Sequence, residues 1–577
     1  MAAMTNPPRV PQLRTSGQTR ELFWLMAFAL LVIGAGLGLR APWPADEPRF
    51  VLVAKQMWES GDWLFPHRGH ELYPDKPPLY FWLIGACYAV VRHWNVAFLI
   101  PSLLAALGTL WLTYDLGRRL WNHRAGLWAA GAVLCAFQFV YQAKRAQIDP
   151  TVVFFITLGV YGLLRHTLLG PNWRWYWLGC FAAGLGVISK GVGFLALLAL
   201  LPYALMRWRG WSGLSEPPPR GAGRWSLGAL TFLAAIALWF VPMLLTALHD
   251  GDPEHRAYLH ELLFRQTATR YTNAWHHNEP FWYFGEVIAL FWLPFSIFIP
   301  WLLKPWREAW RSRDARVWLP LLWVLLVLLF FSASPGKRDM YILPALPMLA
   351  LAAAPFLPGL GERRGVRATL FCFAVLLGAG LFGAGLGAVL GEPKFELKFE
   401  AERGLAGSGD AVWIVLAAMG GLVLLAAVWL RPRRAAALNL ATIAVLWLGY
   451  GFVVAPLLDD ENSARGLMRQ ARELAGPDTV IGLVDWREQQ LLQAQGPVEE
   501  FGFKAPLEIQ WQRGVAWLRE RPQNRALLVQ EASMPACLGP DAGRPVGVAN
   551  RRSWRLIGAA IVGLRCSAHV SPATAPH

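Results

Sequence analysis

The sequence predicts a polytopic α-helical membrane protein of about 13 spanning helices, followed by a small exoplasmic α/β domain. Three observations predict it. Of 577 residues, 55% are hydrophobic and 31 are Trp, whereas soluble domains hold about 45–50% apolar residues. Apolar runs of about 18 residues or more, long enough to cross a bilayer, recur along the first 456 positions. Lys and Arg gather in short clusters between those runs, as in cytoplasmic loops. The net charge of +16 therefore reads as membrane topology and not as nucleic-acid binding.

Taken in order, residues 1–20 read as a cytoplasmic leader. The run Leu22–Leu39 ends without an A-x-A-like cleavage site and reads as a retained anchor. Later runs lie at 79–116, 125–143, 150–168, 174–188, 191–206, 226–248, 281–303, 317–333, 340–357, 368–390, 411–430 and 435–455. The basic segments "GRRLWNHR" (117–124), "RHTLLGPNWR" (165–174), "RWRGWSGLSEPPPRGAGR" (207–224), "KPWREAWRSRDAR" (304–316), "GERRGVR" (361–367) and "RPRR" (431–434) all fall inside if the spans alternate. Residues 79–116 are too many for one straight helix, and "RHWN" (92–95) interrupts them. Two spans there would turn every later basic cluster outward, so this stretch reads as one span with a bent or partly inserted lead-in.

That parity makes 21–456 a transmembrane domain with outer loops at 40–78 and 249–280. Residues 457–577 form an outer tail, and the N-terminus stays in the cytoplasm. In the tail, "ARGLMRQARELAG" carries Leu467, Ala471 and Leu474 on one helical face, while "DTVIGLVDW" and "NRALLVQ" read as buried strands. Cys87, Cys135, Cys180 and Cys372 lie in or beside apolar runs and read as small hydrophobes. Cys537 and Cys566 share the outer tail, where a disulfide between them is expected.

Charges converge on the outer side: Asp46, Lys76, Asp149, Lys190, His260, Arg265, Lys337 and Arg338. Each has a bland reading beside a functional one. Asp46 either caps the helix that runs through Met57, with Glu47 offsetting its dipole, or serves as a general base or cation-binding carboxylate. Lys76, stiffened by Pro77 and Pro78, either snorkels or holds a phosphate, and Asp75 beside it favours the second. Asp149, before Pro150, is a helix cap or a functional acid. Lys190 interrupts "GLGVISKGVGFLALL", and its flanking glycines allow a break there; a charge inside a span is functional by default. The segment "HDGDPEHRAYLHELLFRQTATRYTNAWHHNEPFWYF" places His260 and Arg265 either in a lid over a site or on a surface helix against headgroups. In "SPGKRDMYILPALP", Lys337, Arg338 and Tyr341 either grip a phosphate or anchor in the interface. The sequence has no Walker loop, GxSxG elbow or HExxH. Any activated donor must then arrive through the membrane.

The stretch "ADEPRFVLVAKQMWESGDWLFPHRGHELYPDKPPLYFWL" resembles the first-loop signature of lipid-linked sugar transferases with the GT-C fold. Within them it is most similar to the bacterial aminoarabinose lipid A transferases, in the wider protein O-mannosyltransferase superfamily. Asp46, Glu47, Arg49, Met57, Gly61, Asp62, Trp63, Pro66, Asp75, Lys76, Pro77 and Trp82 follow its pattern in order, and "IDPTVVFF", "VISKGVGFLAL" and "KRDMYILPALPML" resemble later segments. The resemblance covers about residues 20–360 by motif and the remainder by layout. It implies a glycosyltransferase of the bacterial inner membrane that inverts the anomeric carbon of a sugar, hexose or pentose. The donor would be a polyprenyl-phosphate (undecaprenyl-phosphate) sugar, and the acceptor lipid A or another envelope glycan at the periplasmic face. Asp46 would be the base, with Asp149 also placed in the catalytic group. Lys76, Arg265 and Tyr341 would hold the lipid phosphate, supported by Arg49, Lys190, Lys337 and Arg338. Asp75, where Glu is usual, and His260 would hold a divalent metal, zinc in that subgroup; His255, His276 and His277 lie close to His260. The expected partners are the donor, the acceptor and membrane lipids, with no nucleic acid, and the active unit is a single chain. A protein acceptor is the alternative within the enzyme class. A lipid transporter is the alternative outside it, which inverted repeats with paired broken helices would favour, and none is evident.

Overall fold

A computed structural model describes residues 16–215, 222–263, 279–391, 393–403, 409–539 and 541–565. Seven helices within these residues are long and apolar enough to cross a membrane, and up to nine spans result if each of two bent pairs counts as one. The protein is a polytopic helical membrane protein. The seven are Trp94–Leu120, Ile148–Leu168, Gly223–His249, Ala315–Ala333, Arg364–Gly391, Asp410–Leu430 and Pro432–Leu457. The bent pairs are His123–Cys135 with Phe137–Ala143, and Tyr283–Phe291 with Phe295–Arg311.

The described chain begins with α1 (Ser16–Gly34), continues through a short connecting segment and forms α2 (Glu47–Ser60). A two-residue hairpin of β1 (His67–Arg68) and β2 (Glu71–Leu72) follows, then α3 (Leu79–Val91). The helix α3 is too short to span and stops at Arg92, which adopts φ 53° and donates its N–H to the Tyr88 carbonyl. The "RHWN" interruption is thus a true break with its own fixings. Trp94 stacks on Tyr88 at 3.9 Å between ring centroids, and the Arg92 guanidinium lies 5.3 Å from the Trp58 ring.

Small residues let the spans close on one another, as membrane helix pairs require. A Cβ on Gly162 of Ile148–Leu168 would stand 2.2 Å from the Trp175 carbonyl of the neighbouring helix Trp173–Lys190. That second helix ends at Lys190 because Gly191 turns to φ 86° and closes the cap onto the Val187 carbonyl. The break expected beside Lys190 is present.

The C-terminal segment forms a five-stranded sheet in the order β4-β3-β5-β7-β6. The strands are β3 (Val480–Val484), β4 (Val498–Glu500), β5 (Arg525–Gln530), β6 (Arg544–Ala549) and β7 (Arg552–Gly558). Pairs β3–β4 and β3–β5 are parallel, and β5–β7 and β6–β7 antiparallel. Alternate side chains serve opposite faces. Ile481, Leu483 and Leu528 meet the helix Arg465–Ala475, while Val484, Leu527 and Val529 meet the helix Leu507–Glu520. Leu467 and Ala471 of the first helix are buried as its spacing predicts, but Leu474 is exposed and Met468 fills the core in its place. Cys537 is disulfide-bonded; its expected partner Cys566 lies outside the described residues. Of the four other cysteines only Cys180 is buried, and Cys372 is exposed on an outer helix instead of packing inside.

Candidate functional site

Two acids at the start of α2 have different surroundings. Asp46 occupies the position before the helix, yet its side chain makes no capping hydrogen bond, so the capping expectation is corrected. Its oxygens instead lie 3.7 Å from Arg49 Nη1 and 3.5 Å from Arg338 Nη2, at 15% side-chain exposure. Glu47 is completely buried and does more than offset a dipole. Arg40 donates to both its oxygens at 2.5 and 2.8 Å, and the N–H groups of Trp43 and Ala146 donate at 2.8 and 2.9 Å. Burial by itself would raise the Glu47 pKa; the Arg40 charge and these hydrogen bonds outweigh it and hold the carboxyl below its usual range.

A second group assembles from three other elements. Lys190 forms an ion pair with Asp149, and its Nζ lies 5.1 Å from the Tyr341 ring centroid. Asp149 sits in the first turn of Ile148–Leu168, and Gln147 takes the cap position, so Asp149 is an ion-pair partner and not a cap. Tyr341 lies in a 3-10 turn, Asp339–Ile342, and its N–H donates to the Arg338 carbonyl at 3.0 Å. That turn joins the Lys190 group to the Asp46 group. Gln138 steadies it, donating to Asp339 at 2.9 Å while accepting from Trp292 Nε1 at 2.8 Å. Lys337 is buried and donates to the Glu279 carbonyl at 2.8 Å; its bond is to loop backbone and not to the carboxylates that meet Arg338 and Lys190.

Three contributors escape a reading of the sequence. Arg145 reaches the Tyr141 hydroxyl at 3.1 Å, the Pro44 carbonyl at 3.4 Å and Glu47 at 3.9 Å, bridging the segments on either side of Asp46. Its place beside Lys144 in "KRAQIDP" was the available signal. Lys144 caps the end of α1, donating to the carbonyls of Val32, Ile33 and Ala35 at 3.0, 3.3 and 2.7 Å. Glu488, in the C-terminal domain, accepts from Arg49 Nε at 2.7 Å and from Arg68 at 3.5 Å. No local pattern announces a contact across 439 residues. Although burial works against the charge, Glu488 raises the Arg49 pKa above its ordinary value.

Asp75 and Lys76 lie half-buried in the turn before α3. Burial first, and the Asp75 charge second, raise the pKa of the buried phenol of Tyr73. His260 is exposed at the end of the helix Pro253–His260. His255 instead stacks on Phe65 at 3.7 Å and pairs with Asp250, which makes it a loop fixing. Arg265, His276 and His277 lie outside the described residues. Among the described residues no three His, Cys, Asp or Glu side chains gather as metal ligands. Asp75 and His260 are the two candidate metal donors that fall within the described residues.

Chemically, the first group offers a partly exposed carboxylate, Asp46, beside the guanidinium groups of Arg49 and Arg338, and the second, joined to it through the Arg338–Tyr341 turn, an ammonium and a phenol. Such a site can accept a proton and hold an anion side by side.

A family profile described as dolichyl-phosphate-mannose-protein mannosyltransferase matches residues 75–247. An undecaprenyl phosphate-alpha-4-amino-4-deoxy-L-arabinose arabinosyl transferase of Pseudomonas aeruginosa is 32% identical over 343 residues, 56% of this chain and 58% of the relative. The chain thus spans under two thirds of that relative's length. A second such transferase, from Sodalis glossinidius, is 30% identical over 419 residues, 69% of this chain and 71% of the relative. The crystal structure of ArnT from Cupriavidus metallidurans bound to undecaprenyl phosphate shares the fold, with a TM-score of 0.71 at 20% identity over 94% of this chain and 99% of that one.

Proposed function

Since the chain belongs to the family of undecaprenyl phosphate-alpha-4-amino-4-deoxy-L-arabinose arabinosyl transferases, we propose that it is a membrane glycosyltransferase moving a sugar from an undecaprenyl-phosphate donor to lipid A or another envelope acceptor. The single observation that carries this reading is the position of Asp46: uncapped, partly exposed and facing Arg338, whose turn also presents Tyr341 to Lys190.

In the proposed reaction Asp46 accepts the proton of the acceptor hydroxyl. The acceptor oxygen bonds to the anomeric carbon from the face opposite the phosphate, and the carbon–oxygen bond to phosphate breaks with inversion. The electron pair leaves with the lipid phosphate. Arg49, Arg338 and Lys190 neutralise its charge as it develops, which is where fixed cations accelerate the step. Tyr341, Lys76 and Arg265 complete the phosphate grip, and Asp149 holds Lys190 in place. Lys337 acts through the loop backbone that it binds. In the same reading Asp75 and His260 would hold a divalent ion, whose positive charge would help to offset that of the lipid phosphate.

Thirteen spans are proposed, with the N-terminus in the cytoplasm of a bacterial inner membrane and the C-terminal domain in the periplasm. The seven long apolar helices, the two bent pairs, α1, Trp173–Lys190, Gly193–Trp208 and Ala345–Ala353, each given one crossing with α3 as the lead-in, support this count. A single chain is proposed as the active unit.

The test is Asp46→Asn in purified full-length protein with undecaprenyl-phosphate aminoarabinose and lipid A. Transfer falls about 10²–10⁴-fold, the usual loss with a general base, while undecaprenyl phosphate binding is kept. Undiminished transfer would refute the base. Lys76→Ala weakens binding of the same lipid, and normal affinity removes Lys76 from the phosphate grip. A protein acceptor is the second reading, favoured by the mannosyltransferase profile over residues 75–247. It predicts that the sugar missing from deletion cells is lost from secreted protein and not from lipid A.

A further inference from the structure

The C-terminal domain grips the first outer loop at several points. Asp459, near the start of the C-terminal segment, accepts from the Ala41 N–H at 2.8 Å and Trp43 Nε1 at 2.9 Å. Glu500 accepts from the His70 N–H at 2.8 Å, and Glu71 from the Lys504 N–H at 3.2 Å. These contacts fasten the loop. The contact made by Glu488 differs, because it reaches a side chain that itself faces Asp46.

Resting on the function proposed above, we infer that Glu488 is a positioning residue, through which the docked C-terminal domain keeps Arg49 from closing on Asp46 and leaves its Nη edge for the donor phosphate. Distance carries the first part. Glu488 accepts from Arg49 Nε at 2.7 Å, within the range of a charge-assisted hydrogen bond, whereas Asp46 stands off at 3.7 Å from Nη1. Burial adds to it. The Glu488 side chain is 4% exposed against 15% for Asp46, so its pull on the guanidinium is less screened by water.

Glu488 is itself held. Arg68, 7% exposed, lies 3.5 Å away, and the Arg68 guanidinium sits 3.7 Å from the Phe503 ring centroid. At the start of the short helix that Glu488 opens, Gln490 accepts from the Arg487 N–H at 2.9 Å. Without the Glu488 charge, the nearest carboxylate to Arg49 is Asp46, three residues earlier, and the ion pair closes there. The proton acceptor and the phosphate ligand would then consume one another.

The test is a double-mutant cycle on undecaprenyl phosphate affinity in the full-length protein in nanodiscs. Glu488→Gln raises Kd about tenfold, the scale of a hydrogen bond to a charged group; Arg49→Gln does likewise, and the double variant is no weaker than either. Glu488→Asp, which keeps the charge, recovers part of the affinity at an unchanged thermal midpoint, and this separates positioning from folding. Additive losses in the double variant, wild-type affinity in Glu488→Gln, or no recovery in a folded Glu488→Asp would overturn the inference. Asp46→Asn serves as the separate control. If it transfers sugar normally the base assignment falls, whereas the Glu488–Arg49 coupling is decided by the cycle alone.

Discussion

The pocket around Glu47 and the open site around Asp46 begin one peptide bond apart and are built on opposite terms. Glu47 is sealed from solvent, and Arg40 with two backbone N–H groups satisfies its oxygens at 2.5–2.9 Å. Asp46 keeps its cations at 3.5 and 3.7 Å, and Arg338 is 38% exposed. A buried charge must have its partners supplied by the chain, because leaving one unpaired is among the largest single penalties a fold can carry. A carboxylate meant to meet a substrate must have the reverse, loose contacts that another group can displace. One acid therefore holds the first loop together so that its neighbour can remain available.

Breaking the closed side should give the largest effect on stability. Glu47→Gln strands Arg40 and lowers stability by about 3–5 kcal/mol, the usual result of removing one partner from a buried pair. The loss is read as a drop in thermal midpoint in detergent, whereas Asp46→Asn leaves the midpoint within the scatter of surface substitutions. Equal midpoints for the two variants would erase the distinction. Lys190→Met comes next. It leaves Asp149 without its ion-pair partner in a mostly buried place, which costs about 1–3 kcal/mol, and it weakens undecaprenyl phosphate binding. Full affinity in that variant would place Lys190 among the residues that only build.

The closed side also carries a dependence on pH. Burial first, and the nearby Arg40 second, push the Lys144 pKa down from 10.5 to about 7. Below about 7 both folded and unfolded chains carry the proton, so nothing changes. Between about 7 and 10.5 only the unfolded chain does, and stability gains with rising pH. Wild-type protein should therefore gain thermal midpoint relative to Lys144→Met from pH 7 to 10. Parallel curves would show that Lys144 keeps its ordinary pKa.

Much of this molecule is legible along the chain. The "RHWN" break, the end of a helix at Lys190, the strands at Val480–Val484 and Arg525–Gln530 and the amphipathic helix Arg465–Ala475 stand where period and turn residues place them. The family signature marked Asp46, Arg49, Lys190, Arg338 and Tyr341, and the structure brings these five into two joined groups. What sequence could not separate was role within the signature. Asp46 and Glu47 look alike as adjacent acids, and Lys337 and Arg338 as adjacent cations, yet in each pair one side chain faces the site and the other a backbone or a buried partner. Of the two readings open at Asp46 and Asp149, capping gives way for the same reason, since ion pairs draw their carboxylates away from the helix start.

Order along the membrane normal was written in the chain, because a bilayer imposes its own thickness and polarity on every run of residues that enters it, so composition alone sorts the apolar helices from the polar outer segments. The choice of ionic partners was settled by packing. Coulomb attraction acts over a few ångströms in space and takes no account of distance along the chain, which is how an acid 439 residues away comes to hold Arg49.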